Sequence, residues 1–263
     1  KLQLTDGLSV LQGSKYDSRL FYPNRLEEAI AEMTAGKQAH LLLTDMPDKL
    51  VQDISKNMEL LYKKIRQKPT PYYALIVGDG DRMGDCLRRM ETVGEHQELS
   101  RHLSSFASQV DSIVGEKYGG QMIYSGGDDL MALLPLDRCL KAVWAIRKAF
   151  TDVMKQAVPD GIPKPTLSIG MAIVHMIEPL EESLTLAREA EKQAKKKRNE
   201  LAIHFQKRSG SEEMKISLPF SGHPIRSMIE LQVLHRKGYL SSSFAFDLRQ
   251  LHAEYSSLKS HWK

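Results

Sequence analysis

Two groups of aspartates in this 263-residue chain have the residue types and the spacing that divalent-metal chemistry requires. The segment Asp79–Asp81 follows the apolar run 73–77, whereas Asp128 and Asp129 follow a pair of glycines between two further apolar runs. Mg²⁺ prefers oxygen ligands and is typically held by one or two carboxylates together with substrate phosphates. Two such ions about 3.5–4 Å apart can activate an attacking hydroxyl and stabilise the leaving oxygen of an in-line displacement. The chain is therefore a candidate enzyme that acts on a nucleoside triphosphate.

The glycine pair in front of Asp128 is interpreted as a tight hairpin turn. Gly126 and Gly127 permit positive φ in such a turn and leave room for a nucleotide to approach the backbone. Alone, a Gly-Gly-Asp-Asp sequence is more often an ordinary turn, because Gly and Asp are common turn residues. The preceding Ser125 is expected either to contact a base or ribose or to be a plain turn serine. The presence of both acidic motifs at strand ends favours a functional site.

Apolar periodicity predicts the elements that position these carboxylates. The order is β-α-β-β-α-β followed by an additional α-β pair. That order is typical of an α+β fold with a ferredoxin-like, split βαβ sheet, and we expect its helices on one face. The first strand then lies beside the central hairpin, so Asp79 and Asp129 should face one space with Asp128 alongside. The predicted elements are strand 73–77, helix 99–113, strands 122–124 and 130–134, helix 140–154, strand 166–174, helix 180–194 and strand 201–205.

Changes in composition divide the chain into three predicted segments. Residues 1–68 form an N-terminal flanking segment that contains a helical pattern. The Lys-Pro-Thr-Pro sequence at 68–71 ends that helix, since each proline restricts the residue before it. Residues 69–210 then form the domain that carries the acidic motifs. A Ser-Gly-Ser linker precedes residues 211–263, which we expect to be a C-terminal helical appendage.

The overall composition is that of an ordinary globular protein. The formal net charge of +4 is too small to indicate nucleic-acid binding by itself, which needs clustered cations. The two cysteines, Cys86 and Cys139, are far apart, which argues against a disulfide framework or a thiolate zinc site and predicts a cytoplasmic location. No apolar run approaches the roughly 20 residues that span a bilayer, so we expect no membrane association.

Several motifs, taken in chain order, resemble the large signature subunit of type III CRISPR effector complexes, and specifically its Cmr-type branch (type III-B). The resemblance covers roughly residues 69–211. The motifs that carry it are Pro69–Ala74, Gly78–Gly84, Leu99–Arg101, Tyr124–Asp129, Leu133–Leu136, Ser168–Gly170, Val174–His175 and Lys207–Gly210.

This resemblance implies a palm domain related to GGDEF-type diguanylate cyclases and to polymerases. It implies an antiviral nucleotidyltransferase that converts ATP to cyclic oligoadenylate second messengers when target RNA is bound. The expected partners are the other subunits of the ribonucleoprotein and, through the complex, its guide RNA and target RNA. A second palm domain is also expected, because the family's active site forms between two palms and only one is recognisable here. No His-Asp dipeptide occurs, so the family's frequent nuclease domain is not expected in this chain.

The resemblance also assigns roles to individual residues. Asp79 matches the first-strand metal ligand, with the carbonyl of Gly80 assisting. Asp128 and Asp129 match the hairpin carboxylates, and Asp129 ranks above Asp128 as a direct ligand of Mg²⁺ or Mn²⁺. Lys195 matches a lysine that contacts the triphosphate, whereas the neighbouring lysines are read as a solvated helix end. The predicted catalytic residues are thus Asp79, Asp128 and Asp129, and the predicted nucleotide-contacting residues are Gly80, Ser125, Gly126, Gly127 and Lys195.

Two rival functions stay open on the sequence. A palm kept as a non-catalytic, nucleotide-binding scaffold would account for the single recognisable palm, although the retention of every acidic position argues against it. The same scaffold could instead transfer AMP to a different small-molecule acceptor or use GTP. Nothing in the residue pattern identifies the base of the nucleotide or the molecule that accepts AMP.

Overall fold

The computed structural model describes residues 70–207, 213–241 and 243–250, together with 56–57, 59–60 and 62–64. The chain divides into two compact units, 1–70 and 71–263. Apart from Thr70, the described residues of the first unit are helical, within the segment for which the sequence predicts a helix. The other expectations for residues 1–68 lie outside the described residues. The three-segment division therefore stays a prediction.

The second unit is built on a six-stranded sheet with the strand order β2-β3-β1-β4-β5-β6. The central strand β1 pairs antiparallel with both β3 and β4. Strand β5 runs parallel to β4 and antiparallel to β6. The predicted ferredoxin-like arrangement of the first four strands is confirmed. The strands are β1 (Tyr72–Asp81), β2 (Gln121–Gly126), β3 (Asp129–Pro135), β4 (Thr166–His175), β5 (Glu200–Gln206) and β6 (Glu213–Pro219).

The helices lie on both faces of this sheet, so the expectation of a single helical face was wrong. Helices α2 and α3 cover one face, where Phe106 and Phe150 meet edge to face at 5.2 Å between ring centroids. Helix α4 covers the other face, where Ala187 packs with Leu75 of β1. The apolar residues of β1 alternate between these two cores, because successive side chains of a strand point to opposite faces. The helices are α1 (Met83–Arg89), α2 (Val93–Ser112), α3 (Cys139–Ala157), α4 (Leu180–Lys197) and α5 (Pro224–Arg236), and a π-helical turn (Ile113–Lys117) extends α2.

Strand β6 was not predicted from the sequence, and it lies within residues 211–263, for which we expected a helical appendage. Met214, Ile216 and Leu218 alternate with polar residues, which is a period-2 pattern, and this stretch pairs along the whole length of β5. The pattern covers only seven residues after the Ser-Gly-Ser linker, so it is a weaker signal than the longer helical pattern that follows it. Helix α5, in contrast, lies where a helix is expected and contributes Ile225 to the core under α3.

None of the helices in the described ranges is both long enough and apolar enough to span a bilayer.

Candidate metal centre

The register of β1 and β3 places Asp79 and Asp129 on the same face of the sheet. Gly78 pairs with Leu130, so the next position along β1 lies opposite the first residue of β3. Asp79 shares its face with Leu75, which packs in the core beneath α4. Because alternate residues of a strand point to one face, both carboxylates project on the α4 side. The close approach expected from the strand order is what the sheet produces.

The carboxylates of Asp79, Asp128 and Asp129, which we call the carboxylate cluster, each offer one oxygen within 4.8 Å of the others. Asp79 and Asp128 are half-buried and Asp129 is exposed. This donor set consists of hard oxygen ligands, which suits Mg²⁺ or Mn²⁺ and does not suit a soft metal. The cluster keeps an exposed side, so a phosphate oxygen can complete the coordination of an ion held there.

Two glycines allow the cluster to close. A Cβ atom at Gly80 would lie 2.7 Å from Oδ2 of Asp128 and 2.8 Å from Cγ of Met83, so only glycine lets Asp128 fold against the end of β1. Gly127 has a φ of 79°, which is the left-handed conformation that the hairpin requires. Gly126 pairs with Asp129 across the turn. The glycines thus bring the two acidic loops together, as the sequence predicts for the turn.

The electrostatics of the cluster show carboxylates that lack a sufficient counter-charge. Burial raises the pKa of Asp129 to about 6, and a hydrogen bond to Asp79 and repulsion by Asp79 and Asp128 add to the effect. The pKa of Asp128 is also raised, chiefly by burial. The Lys195 ammonium lowers both pKa values without cancelling the rise. A divalent cation between the carboxylates would relieve this repulsion.

Lys195 comes from the last turn of α4 and contacts the end of β1. Its ammonium group forms an ion pair with Asp79 and donates a hydrogen bond of 3.0 Å to the carbonyl oxygen of Gly80. The same nitrogen lies 3.9 Å from Oδ1 of Asp81. The structure therefore brings Lys195 and the Gly80 carbonyl, both predicted from the sequence, to the carboxylate cluster.

Asp81 belongs to the predicted acidic segment, but the sequence assigned it no role, and the structure shows that it holds the site together. Its carboxylate is buried and accepts hydrogen bonds from Thr166 Oγ1 at 2.7 Å, Ser168 Oγ at 2.8 Å and the backbone N–H of Asn199 at 3.0 Å. These bonds join the end of β1 to β4 and to the segment that follows α4. Asp81 thereby fixes the position of the helix end that carries Lys195. The alternation along β1, which puts it on the Asp79 face, is the signal that could have identified it.

Ser125 is the predicted site residue that the structure does not bring to the cluster. It pairs with Leu130, whose side chain is buried in the core under α2 and α3. Ser125 therefore faces away from Asp129. Its hydroxyl oxygen is buried and has no hydrogen-bond partner among the described residues. Its predicted contact with a nucleotide stays a prediction.

Fold and site together define a palm-type domain with a cluster of three carboxylates at the end of its central strand. Residues 72–202 match the family model for Cas10/Cmr2, second palm domain. The chain therefore belongs to the Cas10/Cmr2 family through this domain, and the resemblance to the Cmr-type large subunit is confirmed.

One curated relative is similar in sequence to this chain, and two solved structures are similar to it in fold. The chain is 30% identical over 225 residues to the CRISPR system Cmr subunit Cmr2 of Pyrococcus furiosus, an alignment that covers 74% of this chain and 24% of that protein. The chain thus spans about a quarter of the length of this curated relative. Among solved structures, the fold resembles a subunit of the type III-B Cmr-beta complex in its apo state, with a TM-score of 0.58 at 16% identity, covering 74% of this chain and 33% of that one. The same complex bound to cognate target RNA gives a TM-score of 0.58 at 16% identity over 83% of this chain and 36% of that one.

Proposed function

We propose that this palm is a metal-dependent nucleotidyltransferase that joins ATP molecules into cyclic oligoadenylate second messengers. The observation that carries the proposal is the convergence of three carboxylates, a backbone carbonyl and one lysine at the end of β1. Asp79, Asp128, Asp129 and the Gly80 carbonyl would hold Mg²⁺ or Mn²⁺. Once bound, these ions lower the pKa of the attacking hydroxyl and stabilise the leaving oxygen.

In the proposed reaction, the 3′-hydroxyl oxygen of one ATP forms a bond to the α-phosphorus of another. The bond from that phosphorus to the bridging oxygen breaks, pyrophosphate leaves with the electron pair, and the hydroxyl proton passes to solvent. Asp79 and Asp129 orient the reacting groups from one face of the sheet. Lys195 exchanges its contact with Asp79 for a phosphate oxygen and offsets the negative charge that develops on the leaving group.

We further propose that the chain acts inside a type III CRISPR ribonucleoprotein in antiviral defence. The other subunits, the guide RNA and the target RNA are its partners there, and bound target RNA switches the reaction on. A second palm supplies the other side of the active site. The match to part of a Cmr subunit and the fold shared with Cmr-beta subunits support this assembly.

The test replaces Asp128 and Asp129 with alanine in the assembled complex, supplied with radiolabelled ATP, Mg²⁺ and target RNA. Loss of product of about 10³-fold or more is expected, because both hairpin ligands are removed. The matched control is Asp111→Ala/Asp137→Ala, which removes two exposed carboxylates from outside the cluster. Product formation that survives in the hairpin variant would overturn the site assignment.

Mass spectrometry of the product separates the rival functions. Oligomers of AMP support the proposal. AMP joined to a different small molecule would contradict the proposal that a second ATP is the acceptor. ATP that binds to the wild-type complex and is recovered unconverted with target RNA present would instead identify a scaffold.

A further inference from the structure

A second charged site adjoins the carboxylate cluster through Asp81. This residue lies 3.9 Å from the Lys195 ammonium and also lines a cavity of about 610 Å³. The cavity is bounded by α1, by the loop before β4 and by the residues that end α4. We call it the basic cavity, because six cationic side chains and two carboxylates of the described residues line it. The cations are Arg82, Arg88, Arg89, Lys164, Lys197 and Arg198.

The carboxylates of the basic cavity do not neutralise these cations. Asp81 already accepts three hydrogen bonds from Thr166, Ser168 and the Asn199 backbone. Asp85 pairs with Arg88 at the surface, where such a pair contributes little. Lys164 is 3.5 Å from Asp160 in a similarly exposed pair.

The other four cations of the basic cavity have no such partner. Within the described ranges, no carboxylate lies at ion-pair distance from Arg82, Arg89, Lys197 or Arg198. The basic cavity therefore carries an excess of positive charge that an anion would neutralise.

The backbone around the basic cavity is held in conformations that L-residues rarely adopt. Arg82 has a φ of 59°, Arg198 a φ of 65° and Asn199 a φ of 49°. The hydrogen bond from the Asn199 N–H to Asp81 helps to hold the last of these turns in place. These turns set the backbone positions from which the Arg82 and Arg198 side chains reach the cavity.

We propose that the basic cavity binds a short polyphosphate, either free pyrophosphate or the terminal phosphates of a nucleotide, without needing a divalent metal. An arginine side chain can bind two phosphate oxygens at once and a lysine binds phosphate as a point charge, and three separate segments of this chain supply these cations here. A cavity of about 610 Å³ has room for more than one phosphate group. A nucleic-acid backbone would instead require a longer open track of cations. As a role, which rests on the proposed function, the cavity receives the pyrophosphate that leaves beside Lys195.

The test measures binding of pyrophosphate and of tripolyphosphate to the full chain by calorimetry in EDTA, at about 0.1 M salt where long-range charge effects are screened. We expect Arg89→Gln/Lys197→Gln to weaken the affinity at least about tenfold, which corresponds to about 1.4 kcal/mol. The matched control, Lys141→Gln/Lys148→Gln, removes the same charge from exposed positions of α3 and should stay within about twofold.

Two further variants keep the test decisive. Arg89→Lys/Lys197→Arg retains both charges and should restore binding, which separates lost charge from lost folding. Asp79→Asn/Asp129→Asn removes two carboxylates of the cluster and should leave binding in EDTA unchanged or tighter.

Three results would overturn the proposal. The first is an equal loss of affinity in the α3 control, which would show non-specific attraction. The second is binding that requires Mg²⁺ and disappears in Asp79→Asn/Asp129→Asn, which would place the phosphates at the metal centre and leave the proposed catalysis intact. The third is a single-stranded RNA that binds more tightly than tripolyphosphate and loses affinity in Arg89→Gln/Lys197→Gln, which would make the cavity part of an RNA surface.

Discussion

The carboxylate cluster and the basic cavity adjoin each other through Asp81, which lines the cavity and lies 3.9 Å from the Lys195 ammonium, yet they carry opposite charges and are built in different ways. The cluster is assembled by strand register, because Asp79 and Asp129 lie opposite each other at paired strand ends. The basic cavity is assembled from a short helix, a loop and a helix end that meet beside the last pair of the β1–β4 ladder, Asp81 with Thr166. The comparison teaches that one region has an excess of negative charge and the other an excess of positive charge, so each is completed by an ion of the opposite sign.

The largest expected effect tests whether the two regions select opposite ions. Asp79→Asn/Asp129→Asn should weaken Mn²⁺ binding to the chain by about 100-fold or more, because two direct ligands lose their charge. Arg89→Gln/Lys197→Gln should change Mn²⁺ affinity less than about threefold, since these side chains are not in the cluster. Electron paramagnetic resonance of free Mn²⁺ measures both. Similar losses in the two variants would mean that the regions are not separate sites.

The next effect concerns Lys195, the cation that contacts the cluster through Asp79. Lys195→Met keeps most of the side chain's length and removes its charge, so the rate of ATP conversion in the complex should fall about 10²–10³-fold. Lys195→Arg should recover part of the activity, because a positive charge returns. Initial rates of ATP conversion at saturating Mg²⁺, compared between the wild type and the two variants, measure the contribution of Lys195. A Lys195→Met variant with the wild-type rate would remove the lysine from the reaction.

Asp81 should show its importance in folding stability. Asp81→Asn places an amide N–H₂ among three donors and leaves at least one of them unpaired, so the free energy of unfolding should fall by about 2–4 kcal/mol. Urea denaturation of the full chain measures the change. Asp85→Asn, at an exposed position of α1, is the control and should stay within about 0.5 kcal/mol. Equal stability of the two variants would contradict the role of Asp81 in joining the sheet to the end of α4.

The smallest effect is a pH dependence that arises from Asp129. Because its pKa is raised to about 6 in the folded chain, ionisation of this group favours the unfolded state. The stability of the metal-free wild type should therefore decline as the pH rises through about 6, relative to Asp129→Asn. We expect the variant to melt a few degrees higher at pH 7.5 and at the same temperature at pH 4.

Thermal melts in EDTA at the two pH values check this prediction. Saturating Mn²⁺ should reverse the difference at pH 7.5, because only the wild type retains Asp129 as a ligand. A variant that melts lower than the wild type at pH 7.5 in EDTA would contradict the repulsion within the cluster.

The carboxylate cluster could be predicted from the sequence because two short-range patterns determine it. The alternation along β1 and the glycine turn before Asp128 fix the faces and the ends of the strands, and the order of elements makes β1 and β3 neighbours. The face of Ser125 could not be predicted in this way. The pairing of β2 with β3 shifts register between Met122 and Tyr124, and such a shift changes which residues share a face.

The basic cavity had no comparable signal in the sequence. Its cations come from segments that are far apart in the chain, and each looks like an ordinary charged residue at a helix end or in a loop. The left-handed conformations of Arg82 and Arg198, which help to form the cavity, have no residue preference that would reveal them. The helix over 180–194 was predicted, but its position on the second face was not, because apolar spacing shows that a helix has a buried side without showing which face of the sheet it covers.

The central claim is that Asp79 and Asp129 share a cation, and anomalous diffraction from crystals of the chain grown with Mn²⁺ tests it most directly. The account predicts an anomalous peak within coordination distance of a carboxylate oxygen of each of these two residues, with the Gly80 carbonyl beside it. A fully occupied Mn²⁺ bound elsewhere, with the Asp79 and Asp129 carboxylates contacting no common ion, would contradict it.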